Sequence, residues 1–170
     1  RNAVRHWLDD PSKAELLYGH ISAWDTSTVT DFSYLFCGRS DWSDCHGNAG
    51  AFNEDINDWD TSAATSMARM FYLASSYNQN LDNWDTSSVT TMAEMFVAAL
   101  SFDGRINTWD VSSVRDMRSL FEKASSFNQA LDAWNPKKAT TMEAMFSGAT
   151  SFDQNIEGWN VGKVTTTQEM

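Results

Sequence analysis

"LDNWDTSSVTTMAEMF", residues 81–96, decides how this chain is read, because it returns as "INDWDTSAATSMARMF" at 56–71 and "INTWDVSSVRDMRSLF" at 106–121. Within it Val89, Met92, Met95 and Phe96 fall at i, i+3, i+6 and i+7, the spacing of one face of a helix. Asp85, Thr86, Ser87 and Ser88 precede that face and are residue types that cap helix starts by accepting backbone N–H bonds. Leu81 to Trp84 reads as a strand of two or three residues, and "ASSYNQN" at 74–80 as a polar turn. Each unit is therefore expected to hold a helix of about ten residues, a loop and a short extended piece.

The recurrence extends well beyond these three copies. Trp24, Trp59, Trp84, Trp109, Trp134 and Trp159 are separated by 35 residues once and by 25 thereafter. Phe36, Phe71, Phe96, Phe121 and Phe146 keep the same spacings, and Phe52, Tyr77, Phe102, Phe127 and Phe152 keep 25 throughout. Ile21, Ile56, Leu81, Ile106, Leu131 and Ile156 stand three residues before each Trp, and Met67, Met92, Met117 and Met142 eight residues after one. A single unit cannot bury its own apolar face, whereas stacked units share a continuous core. The Trp and Phe series are accordingly the structural core ladder. The expected architecture is an α/β repeat solenoid of leucine-rich-repeat-like coils, each a short helix plus a very short strand. Residues 1–20 form a helical N-terminal cap, and 21–170 a solenoid of six repeats with an insertion at 37–50.

"FNEDINDWDTSAATSMARMF", "SFNQALDAW" and "SSVTTMAEMF" resemble the repeat of the BspA-like surface-protein family, a resemblance covering about residues 14–166. It implies a leucine-rich-repeat-like solenoid, extracellular or surface-attached, serving adhesion and protein binding. It implies no catalytic residue, since the family has none to carry across.

Composition narrows the partners. A net charge of −11 and a pI near 4.5 argue against nucleic acid and anionic membranes, which require a basic footprint. No apolar run approaches the length that crosses a bilayer, so direct membrane insertion is not expected. The sequence begins at Arg1 rather than Met and stops in mid-pattern at Met170, as a piece of something longer would. With no matching C-terminal cap, further repeats or an assembly neighbour are expected at that end. At the other end, Val4, Trp7 and Leu8 share a helical face that breaks at Pro11. A second helical turn from Ala14 to Tyr18 ends at Gly19.

Departures from the repeat locate the candidate sites. The first unit is ten residues longer, the excess lying in "CGRSDWSDCHGNAG" at 37–50. Cys37 and Cys45, eight apart, are a disulfide candidate, with free thiols or a zinc site with His46 and His20 as alternatives. The spacing matches no familiar zinc signature, and a disulfide implies an oxidising compartment. Trp42, out of phase with every ladder, either folds back over the flank or projects as an anchor. With Arg39, Asp41 and His46 it forms the interaction candidate. In the fifth unit "WNPKKATTM" inserts Pro136 just before the expected helix.

Asp25, Asp60, Asp85 and Asp110 would stack as cation ligands do, but Asn135 and Asn160 replace them in the last two units. Such exchange favours turn capping over calcium. The same reading covers Asn53, Asn78, Asp103, Asn128 and Asp153. The Trp series runs in phase with Ile/Leu and Met, which makes it core rather than a sugar or base platform. The three histidines, His6, His20 and His46, do not repeat, and no nucleophile elbow, phosphate loop or zinc-protease motif is present.

No catalytic, cofactor-binding or metal-ligating residue and no cofactor is therefore expected. The expected function is a non-enzymatic surface or extracellular module mediating protein–protein interaction or adhesion, with a protein or glycan partner. The alternative is a structural linker or assembly subunit of a larger complex.

Overall fold

The computed structural model describes residues 1–169. Helix α1 spans Asn2–Asp9 and α2 spans Pro11–Tyr18. Asp10 separates them in an extended conformation, and its carboxylate accepts the Lys13 N–H at 3.1 Å, capping α2 just ahead of Pro11. Gly19, at φ 75°, closes α2. Val4, Trp7 and Ala14 are buried against the first coil of the repeat region, whereas Leu16 and Leu17 remain exposed.

From Ile21 onward the expected α/β solenoid is not what the chain forms. Among the described residues there is no α-helix after Tyr18, only 3₁₀ turns at Ile21–Ala23 and Gly47–Ala51. Nor is there a strand or sheet; one isolated parallel bridge joins each coil to the next, through Asp31, Ser66, Thr91, Asp116, Thr141 and Thr166. The leucine-rich-repeat-like coil of helix plus strand is thus replaced by a coil built from turns.

Where the backbone N–H groups go explains the difference. An α-helix sends every N–H to the carbonyl four residues back. In the stretch read as helical, the N–H groups of Met92, Glu94, Phe96 and Ala98 instead leave the coil. They reach the carbonyls of Asp116, Arg118, Leu120 and Glu122, at 3.0, 2.9, 2.9 and 2.8 Å. The alternate groups, Met95 and Val97, close four-residue turns on Met92 and Glu94. Glu94 and Ala98 hold φ of 58° and 53°, and Arg69, Leu73, Ser119, Lys123 and Ala144 repeat that left-handed geometry at matching registers. Left-handed backbone costs a non-glycine residue about 1–2 kcal/mol, which the bonds to the next coil offset. Apolar spacing alone does not separate these turns from a helix, since both bring positions three and four apart to one side.

Side chains complete the stack. Phe71, Phe96 and Phe121 lie 5.4 and 5.6 Å apart in a nearly parallel column, each 4.0–4.1 Å from a ring of the second column, Tyr77, Phe102 and Phe127. Trp84, Trp109, Trp134 and Trp159 form a third column at 6.0–6.1 Å. Each buried indole N–H donates to a carbonyl of the preceding coil: Trp59 to Ile21, Trp84 to Ile56, Trp109 to Leu81, Trp134 to Ile106 and Trp159 to Leu131, all within 2.8–3.1 Å. Trp24 and Phe146 are half-buried, Trp24 packing between Trp7 and Trp59.

The two acidic or amide registers part company. Asp25, Asp60, Asp85 and Asp110 accept the N–H two residues on, local turns of the expected kind. Asn53, Asn78, Asp103 and Asn128 instead accept the N–H of Asn78, Asp103, Asn128 and Asp153 at 2.8–2.9 Å. These bonds link successive coils and correct the reading of that register as a row of turn residues.

Candidate functional site: the interruption at residues 37–50

The insertion leaves the first coil at Gly38, whose N–H donates to the Tyr72 carbonyl at 2.7 Å. A Cβ there would stand 2.5 Å from the Leu73 carbonyl oxygen, so only glycine allows the approach. A disulfide joins Cys37 to Cys45, and the His46 N–H returns to the Cys37 carbonyl at 2.7 Å. With both sulfurs bonded to each other, neither thiolate is free for the zinc alternative. His20 bonds Ser22 and lies 3.9 Å from Glu54.

The closed loop lays Trp42 back on the second coil. Its ring stacks on Tyr72 with centroids 5.4 Å apart and meets Tyr34 edge-on at 6.4 Å. The Arg39 guanidinium lies over the same ring, 4.3 Å from its centroid, and grips Asp41 through both oxygens at 2.6 and 3.0 Å. That pairing holds the Asp41 carboxyl below its ordinary range and raises Arg39. Arg69 comes within 5.3 Å of the Trp42 centroid from the next coil. It is clamped by Glu94 at 2.8 and 2.5 Å and by the Tyr34 hydroxyl, chiefly the former, so its pKa is pushed further up. Tyr34, Asp41, Trp42, Ser43, Asp44 and Arg69 enclose one open concavity.

The structure therefore brings Arg39, Asp41 and Trp42 together and sends His46 elsewhere. His46 Nε2 lies 3.0 Å from Asp9 Oδ1 on α1. Beside it, Asn48 donates to the Leu8 carbonyl and Arg5 to that of Ser43, so this half of the insertion fastens the helices. Sequence reasoning missed Tyr34 and Arg69. Both are left-handed residues of the turn stretch, at φ 62° and 57°. A helix period does not assign outward positions in such a backbone, and no charge or spacing signal marks them.

The family model described as "Mycoplasma protein of unknown function, DUF285" matches this chain twice, over residues 12–92 and 78–170. No curated protein matches, and no solved structure does.

Proposed function

The chain belongs to the family described as Mycoplasma protein of unknown function, DUF285, and from that premise we propose that it is a non-enzymatic recognition module acting at a cell surface or outside the cell. In this reading it is a repeat protein of the BspA-like kind that binds a partner protein through the face built on residues 37–50. The observation that carries it is the contrast between that face and the rest. The Trp and Phe columns of the coils face inward, while the interruption lays its Trp42 and Arg39 against Tyr34, Arg69 and Tyr72 of the first two coils on an outer flank. Trp, Tyr and Arg are the side chains that dominate binding energy at protein interfaces. Arg39 and Tyr72 already lie against the Trp42 ring, which favours a protein over the flat face of a sugar. A disulfide suits an oxidising compartment, in keeping with a surface role.

Affinity capture from native extracts tests this reading. The intact protein is expected to retain one stoichiometric partner, and Trp42→Ala, folded by thermal melt, to lose it. Equal capture by the two proteins would contradict it. A second reading, assembly with a neighbouring subunit, rests on Leu16 and Leu17, which are 87% and 67% exposed on α2. It predicts that Leu16→Ser/Leu17→Ser changes the oligomeric state in solution while leaving the Trp42-dependent capture intact.

A further inference from the structure

On the reading that residues 37–50 form a recognition face, we propose that Trp42, Asp41 and Asp44 form a seat for the guanidinium of an arginine in a basic peptide segment of the partner, and that Arg39 fills that seat from within until it is displaced.

Arg39 shows what the seat accepts. Its guanidinium lies flat over an indole while both its Nε and Nη2 meet the two oxygens of one carboxylate. A planar fork satisfies both demands at once; an ammonium supplies one point charge and cannot. The occupant is exchangeable. Arg39 and Asp41 sit two residues apart on a loop, with side chains 34% and 65% exposed, so the Asp41 carboxylate is open to a competing guanidinium from solvent. The neighbouring guanidinium differs. Arg69 is held by Glu94 and Tyr34 and forms part of the wall. Arg1 and Arg5 are likewise engaged, with Asp31, Ser33 and Ser43. Asp44, exposed, adds a second carboxylate to the concavity that Asp41 and Trp42 border. A net charge of −11 draws cationic segments toward the molecule from a distance.

Titration of the intact protein with acetylated, amidated tetra-arginine, against tetra-lysine as the charge-matched control, tests the proposal. Tetra-arginine is expected to bind about tenfold more tightly than tetra-lysine, the discrimination worth of one stacked bidentate contact. Arg39→Ala is expected to tighten tetra-arginine about three- to tenfold by vacating the seat. Trp42→Ala and, independently, Asp41→Asn are expected to bring the two peptides to equal affinity. Equal affinity of the two peptides for the unaltered protein would overturn the proposal. So would Arg39→Ala leaving tetra-arginine binding unchanged or weaker. If tetra-arginine fails while Trp42→Ala still loses the native partner, the arginine seat falls and the recognition face stands. If tetra-arginine binds through Trp42 while partner capture is insensitive to it, the seat stands and the functional reading falls.

Discussion

Two tryptophans with the same side chain do different work at the scale of single residues. Trp84 is buried, stacked on Trp109, and its N–H is bonded to the Ile56 carbonyl. Removing it opens a cavity and orphans a carbonyl, so Trp84→Ala is expected to cost about 3–5 kcal/mol in urea unfolding. Trp42 rests half-buried on the flank, and Trp42→Ala is expected to cost under about 1.5 kcal/mol. Similar losses from both would mean that the insertion is core. Tyr77 offers the opposite sign. It occupies a column otherwise built of Phe, and its hydroxyl is buried with no partner among the described residues. Burial accordingly drives its pKa well up. Tyr77→Phe is expected to stabilise by about 1 kcal/mol, raising Tm by about 2–4 °C. A lower Tm would show that the hydroxyl has a partner after all.

Within one coil, the turn stretch is the element whose nature the sequence conceals. Its apolar positions and its 25-residue period are legible, because ladders of Trp, Phe and Met repeat in plain view. Its backbone is not, because the bonds that decide it join residues 24 positions apart, such as Glu94 to Arg118. The same blindness hid Tyr34 and Arg69 from the candidate site, whereas Trp42, Arg39 and Asp41 were visible as a break in the pattern. Ala98 distinguishes the two backbones by sign. It holds φ 53°, at the register where Gly148 holds φ 73°. Ala98→Gly is expected to stabilise by about 0.5–1 kcal/mol, since glycine enters the left-handed region without strain. In a helix the same change costs about 1 kcal/mol. Urea midpoints of the two proteins decide between them.

For the whole molecule, stacking makes each coil the wall of the next, and electrostatics sets the conditions under which the stack persists. The carboxyls of Asp25, Asp60 and Asp110 lie below their ordinary value of 3.8, chiefly because the hydroxyls of Ser27, Ser62 and Ser112 bond to them and secondarily the following N–H groups. A carboxyl whose folded pKa is depressed contributes stability that is fully present above its unfolded value and is lost as pH falls through the folded one. Thermal melts from about pH 5 to about pH 2 are therefore expected to hold a plateau above 3.8 and fall below it, and a Tm that rises on acidification would contradict this. The central claim is that the coils are turns bonded to one another rather than helices lying side by side. Scalar couplings measured by NMR across individual backbone hydrogen bonds test it most directly. The account predicts couplings from the amides of Met92, Glu94, Phe96 and Ala98 to the carbonyls of Asp116, Arg118, Leu120 and Glu122. Couplings from those amides to carbonyls four residues back in their own coil would contradict it.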